Sequence, residues 1–272
     1  MNNLVKRTLT GIVFVVLVIL SIILHHLFFV ILFLIITVMG LWEFFKLVET
    51  AGIFPNKFAG ILSGVFLFLS NAFIAHGYTG RGILMFNFVF LFLIFLFELY
   101  RKLPNPFTNI AFTFFGLLYI ALPFSLLMYF PNPNLLPGTY HSSLLLGFFF
   151  LVWMNETGAY LVGSAIGKHR LFERISPRKT WEGTIGGGVL AIFTGYIISR
   201  YFTQLDPIDW LAISLIVVVF SSYGDLFESM FKRSINAKDS GRLLPGHGGI
   251  LDRFDGVIMA APFVFVYLII VF

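Results

Sequence analysis

The chain has 272 residues, of which 58% are hydrophobic and only 11% charged, against the roughly 25% charged residues of an ordinary soluble domain. These figures exclude a soluble globular protein and describe an integral membrane protein. The lack of cysteine excludes disulfides, thiolate metal sites and a cysteine nucleophile, and the net charge of +5 is set among 36 phenylalanines in apolar runs, which argues against nucleic acid and for lipid headgroups or a phosphorylated ligand as the partner of the cations.

A spanning helix needs about 20 mostly apolar residues. Nine segments meet that need: 8–24, 27–48, 58–76, 82–100, 107–130, 143–167, 183–201, 208–228 and 256–272. Lys6 and Arg7 precede the first in the manner of a signal peptide, but no small-residue cleavage site follows and a second span comes at once, so it is predicted to stay as an anchor. Up to Tyr140 the chain is aromatic and aliphatic, and Pro104-Asn105-Pro106 and Pro131-Asn132-Pro133 break its helices. Residues 141–272 carry two charged loops and most of the glycines. The expected division is therefore 1–140, apolar spans, and 141–272, the region that carries the chemistry. Gly183 and Gly187 stand at the four-residue spacing that lets two membrane helices pack closely.

With nine spans, every cation except Arg81 and Arg200 falls on one side. The positive-inside rule places that side, and the N-terminus, in the cytoplasm and the C-terminus outside. The predicted fold class is all-α: a polytopic membrane helical bundle with a polar cavity open to the cytoplasm.

Five groups of polar residues are candidates for chemistry. In Gly224-Asp225-Leu226-Phe227-Glu228-Ser229, helical spacing puts Asp225, Glu228 and Ser229 on one face. Hard cations such as Mg²⁺ take carboxylate oxygen, and one or two carboxylates with substrate phosphate usually suffice; the plainer alternative is a solvated helix end with Glu228 paired to Lys232. Asp252 and Asp255, three apart before the last span, form a second acidic pair, which either serves a helix dipole or meets the first pair around a shared cation. Pro245-Gly246-His247-Gly248-Gly249 offers backbone N–H groups to a phosphate, with Lys232, Arg233, Lys238 and Arg242 nearby in sequence. Ile175-Ser176-Pro177-Arg178-Lys179-Thr180-Trp181 reads as interfacial anchoring, as the start of a helical turn, or as a second charged loop closing over the same ligand. Asn155-Glu156-Thr157 puts a carboxylate at membrane depth, where it faces the bundle interior or water. Glu43 in the second span reads as structural, and His25, His26, His76 and His141 show no metal-ligand spacing. Gly163 to His169 lacks one spacer and the Ser or Thr of a P-loop. A transporter would spread polar residues along a pore, whereas here they gather at one face.

The segment Ser229–Asp255, with its S-x-x-K-R-x₄-K-D-x-G-x₃-P-G-H-G-G-x-x-D-R-x-D spacing, resembles the signature of the phosphatidate cytidylyltransferases, or CDP-diacylglycerol synthases. The resemblance continues in Ser176–Gly183 and around Asn155–Tyr160, where Glu156 stands in place of the aspartate usual in that family. It implies transfer of CMP from CTP to phosphatidate, releasing pyrophosphate, with Mg²⁺ required and a second cation left open. Carried onto this chain, it makes Asp225, Asp252 and Lys238 catalytic. Asp225, Asp252, Asp255 and Glu228 become metal residues. Lys179, Lys232, Arg233, Asp239, Arg242, Gly246, His247, Gly248, Gly249, Arg253 and Glu156 become substrate-binding. The implied partners are CTP, phosphatidate, membrane lipid and a second copy of the chain, not nucleic acid; the implied location is the cell inner membrane with the site facing the cytoplasm.

Overall fold

A computed structural model describes residues 3–132, 140–237, 241 and 248–271. Apart from one short ribbon, its regular elements are helical. In order they are α1 (Asn3–Leu24), α2 (His26–Glu49), α3 (Lys57–Ala75), α4 (Met85–Arg101), α5 (Pro106–Gly116), α6 (Leu122–Leu126), α7 (Ser142–Ile166), β1 (Arg170–Phe172), β2 (Ser176–Thr180), α8 (Trp181–Tyr201), α9 (Pro207–Ser234) and α10 (Leu251–Val271). Among the described residues eight helices are long and apolar enough to cross a membrane, and Gly11–Leu24 is a further, shorter apolar helix. The protein is thus a multi-pass helical membrane protein.

Local chemistry explains the breaks. α5 and α6 form one span, Pro106–Tyr129, interrupted by a π-helical turn at Leu117–Ala121. Pro123 follows that turn; it has no N–H to continue the helical ladder, which is the usual cause of such a distortion. The link from α4 to α5 turns through Lys102 and Asn105, both at positive φ, before Pro106 opens α5 with its fixed backbone angle. Of the readings open for Ser176–Thr180, the helical turn does not hold: the segment is strand β2, paired antiparallel with β1. Its tight, charged ribbon carries none of the apolar alternation that marks a strand in sequence.

The chain forms two compact units, Met1–Tyr140 with Ser234–Phe254, and His141–Arg233 with Asp255–Phe272. The first is packed on aromatic rings. Phe254 meets Phe14, Phe33 and Phe124 edge-on at centroid distances of 5.3, 5.8 and 5.3 Å, the arrangement that ring quadrupoles favour. In the second, α7 and α8 approach backbone to backbone. A Cβ on Gly158 would lie 2.9 Å from the Cα of Gly187, and one on Gly183 would lie 2.8 Å from the Ala159 carbonyl oxygen. The small-residue spacing of α8 serves this contact.

Candidate active site

In the second unit α7, α9 and the part of α10 beyond Phe254 come together through small residues. Gly224 of α9 lies so close to the backbone of Asp255 that a Cβ there would overlap the Asp255 carbonyl. A Cβ on Gly256 would stand 3.0 Å from the Ser221 Cβ and 3.1 Å from the Glu156 Oε1. Asn155, buried on α7, donates to the Ser221 hydroxyl at 2.7 Å and ties α7 to α9. A larger side chain at 224 would meet backbone and push α9 away from α10, whereas at 256 it would crowd the Ser221 and Glu156 side chains.

The result is an acidic cluster. Asp255 is buried, accepts the N–H of Gly256 at 2.8 Å, and has the carboxylates of Asp225, Glu156 and Glu228 as electrostatic neighbours. Two lysines meet this charge. Lys179 Nζ lies 2.7 Å from Asp225 Oδ2, and Lys232 Nζ lies 3.2 Å from Glu228 Oε2. The Glu228–Lys232 pair is the plain i, i+4 contact that the sequence offers as an alternative, and it coexists with the cluster. Ser229 donates to Asp225 Oδ1 at 3.2 Å, as their shared helical face requires. Asp255 and Glu228 are buried, Asp225 is half-exposed and Glu156 exposed; a buried carboxylate beside like charge is costly unless a cation or proton joins it.

Lys179 reaches Asp225 because the ribbon is anchored. Thr180 caps α8 by accepting the Gly183 N–H at 3.2 Å, and Glu182 accepts the N–H groups of Lys168 and His169 at 3.1 and 3.2 Å. The His169 ring nitrogen Nδ1 lies 2.5 Å from the same carboxylate. The basic segment before α8 therefore sends its lysine, Lys179, to an acidic residue of α9.

The first unit holds Asp252, with Gly248 and Gly249. Asp252 Oδ2 accepts the Gly249 N–H at 2.9 Å, and Gly248 adopts φ +89°, a conformation in which an L side chain is strained. The Gly249 N–H that a phosphate cradle would use is here given to Asp252. Arg233 and Arg253 are exposed. Lys238, Asp239, Arg242, Gly246 and His247 lie outside the described residues.

Among the described residues no three His, Asp or Glu side chains form a cage able to hold a metal ion by themselves. The donor chemistry still fits Mg²⁺: the oxygens are hard, and Mg²⁺ commonly completes its shell with water and substrate phosphate. Sequence reading had singled out Asp225, Glu228, Asp255 and Glu156, and the structure brings these four together. Ser221 and Gly256 carry no sequence assignment and Gly224 only a place in its motif; their roles lie in close helix approach, for which the Gly-Asp and Asp-Gly steps at 224–225 and 255–256 are the available signal.

The profile of the cytidylyltransferase family matches residues 5–271. A phosphatidate cytidylyltransferase of Staphylococcus haemolyticus is 38% identical over 180 residues, 65% of this chain and 66% of that protein. Its Staphylococcus aureus counterpart is 48% identical over 126 residues, 44% of this chain and 47% of its own length. The matches thus span about two thirds and about half of these relatives. With a family match that runs over nearly the whole chain, and with motifs that agree, the chain belongs to the cytidylyltransferase family.

Proposed function

We propose that the protein transfers CMP from CTP to phosphatidate, as the names of its relatives say of them, yielding CDP-diacylglycerol and pyrophosphate. A phosphate oxygen of phosphatidate attacks the α-phosphorus of CTP; a new P–O–P bond forms as the bond to the β-phosphate oxygen breaks, and pyrophosphate leaves with its electron pair. The lipid phosphate is largely ionised near neutral pH, so no general base is needed. The barrier lies in bringing two polyanions together, and the residues work by positioning and charge neutralisation.

The observation that carries this reading is the crowding of Asp225, Glu156 and Glu228 around buried Asp255, with Lys179 and Lys232 at its border. Asp225, Asp255 and Glu228 are the residues that would hold Mg²⁺, with Asp252 added on the family signature alone. When bound, the ion would neutralise the CTP phosphates and the pyrophosphate as it leaves. Lys179 and Lys232 exchange their carboxylate partners for phosphate oxygens. Lys238, Arg242, Arg233 and Arg253 grip the remaining phosphates, Asp239 orients Lys238 or Arg242, and Gly246 to Gly249 with His247 line the nucleotide. The polar cavity opens to the cytoplasm, where CTP is found, and sideways to lipid. The N-terminus is cytoplasmic, the C-terminus lies outside, the membrane is the cell inner membrane, and the protein is a homodimer.

The test is purified protein in detergent with phosphatidate, Mg²⁺ and labelled CTP. Label from the α-phosphate is expected in lipid. Label only from the γ-phosphate, on an alcohol acceptor, would show a CTP-dependent lipid kinase instead. Asp225→Asn and Asp252→Asn should each lower CMP transfer by at least about 100-fold, beyond the range typical of residues that merely support a metal ligand, with folding unchanged by thermal denaturation. Full activity in either variant would remove that residue from the site.

A further inference from the structure

Glu43 sits on α2, far in sequence from every motif, and is buried with 3% of its surface exposed. Its Oε2 accepts the N–H of Ile250 at 3.0 Å and its Oε1 the N–H of Leu251 at 3.0 Å. These donors lie at the start of α10, where backbone N–H groups have no acceptor within the helix. The positive end of the helix dipole adds to the attraction for a carboxylate. A Cβ on Gly241 would come 2.7 Å from Glu43 Oε2, so glycine at 241 makes room for this contact.

The residue that follows these two donors is Asp252. Its Oδ2 is engaged with the Gly249 N–H at 2.9 Å, and Phe254, one turn further, is locked among Phe14, Phe33 and Phe124. The orientation of the Asp252 carboxylate therefore depends on how the N–H groups before it are satisfied. Without an acceptor from α2, the buried N–H groups of Ile250 and Leu251 would each lack a partner, at a cost of about 1–3 kcal/mol per group. The first turn of α10 would then loosen, and the backbone that carries Asp252 with it.

We propose that Glu43 is a positioning residue for Asp252: by accepting the N–H groups of Ile250 and Leu251 it fixes the start of α10, and with it the backbone that holds the Asp252 carboxylate on the Gly249 N–H. This rests on the cytidylyltransferase reading, in which Asp252 serves the reaction. It gives the N-terminal half of the chain a role at the site that the apolar character of its helices conceals.

The test compares full-length wild type, Glu43→Gln and Glu43→Asp in detergent by two readouts. The first is amide hydrogen exchange without nucleotide. Glutamine has one oxygen acceptor and presents its NH₂ to the other N–H, so peptides covering 248–254 should exchange roughly 10-fold faster in Glu43→Gln, a local opening, while peptides from α8 stay at the wild-type rate. The second is kinetic. The Mg²⁺ concentration for half-maximal CDP-diacylglycerol formation should rise roughly 10-fold to 100-fold, the usual effect of losing a group that orients a metal ligand, with KM for phosphatidate within twofold of wild type. Glu43→Asp, one methylene shorter, should fall between. Unchanged exchange overturns the proposal. Faster exchange with an unmoved Mg²⁺ requirement, and activity that falls only with the folded fraction, also overturns it and leaves Glu43 as a plain helix cap. A wild type that makes no CDP-diacylglycerol sinks the functional reading instead, and the exchange result then decides the Glu43 contact by itself.

Discussion

Glu98 and Asp255 are both buried carboxylates near an end of a membrane-length helix, and their neighbours differ in sign. Glu98, in the first unit, has Arg101 at 2.7 Å on one oxygen and the Asn109 amide at 2.9 Å on the other. Arg101 in turn donates to the Phe54 carbonyl at 2.9 Å, and Asn109 accepts the Phe54 N–H at 2.9 Å. Asp255, in the second unit, is set among Asp225, Glu156 and Glu228. In one place a buried charge is matched by protein groups, and the carboxylate belongs to the fold. In the other, a buried carboxylate has like charges as electrostatic neighbours, which is uneconomical for stability and suited to a cationic ligand.

The same carboxylate-to-amide change at the two positions is the sharpest way to break this contrast. Asp255→Asn should have the largest effect, lowering CMP transfer by about 100-fold or more, on the scale of lost metal-site groups. Its thermal midpoint should equal or exceed that of wild type, because a like charge leaves a crowded site. A stability loss would mean that Asp255 is paired as Glu98 is. Glu98→Gln should do the reverse: a loss of about 1–3 kcal/mol, the cost of a broken buried charge-assisted bond, read by chemical denaturation, with KM for CTP unchanged. A raised KM would place Glu98 in the machinery.

The smallest effect concerns a third way of handling an ionisable group withdrawn from water, here a half-buried one, which is to keep it neutral. His76, just beyond α3, is lowered from the ordinary 6.5 to about 4, first by burial and then by the nearby rings of His26 and His25. The unfolded chain takes up this proton near pH 6.5 and the folded chain only near 4. The group's contribution to stability is therefore intact above about 6.5 and is lost as the pH falls towards 4. Thermal midpoints measured from pH 7 to 4.5 should fall less steeply in His76→Gln than in wild type. Parallel curves would show that His76 does not titrate differently on folding.

Much of this was legible in the sequence. Each apolar run needs about 20 residues to cross a bilayer, so hydropathy and proline placement locate the helices; α7, expected at 143–167, runs Ser142–Ile166, whereas α9, expected at 208–228, runs on through its charged end to Ser234. The acidic residues of the second unit were legible as candidates because carboxylates in an apolar chain are conspicuous. The β1–β2 ribbon was not, because Ser176-Pro177-Arg178-Lys179-Thr180 carries no apolar period. Nor was the partner of Glu43, which lies 207 positions away along the chain.

By itself, the sequence determined the class of protein, the course of its helices and the family, because hydropathy and motif spacing are local properties of the chain. Only the tertiary structure decided which carboxylates are satisfied and which are crowded. Glu43, Glu98 and Asp255 are alike as letters in apolar helices. Whether each meets N–H groups, a guanidinium or other carboxylates depends on which distant backbone the glycines and rings allow to come near.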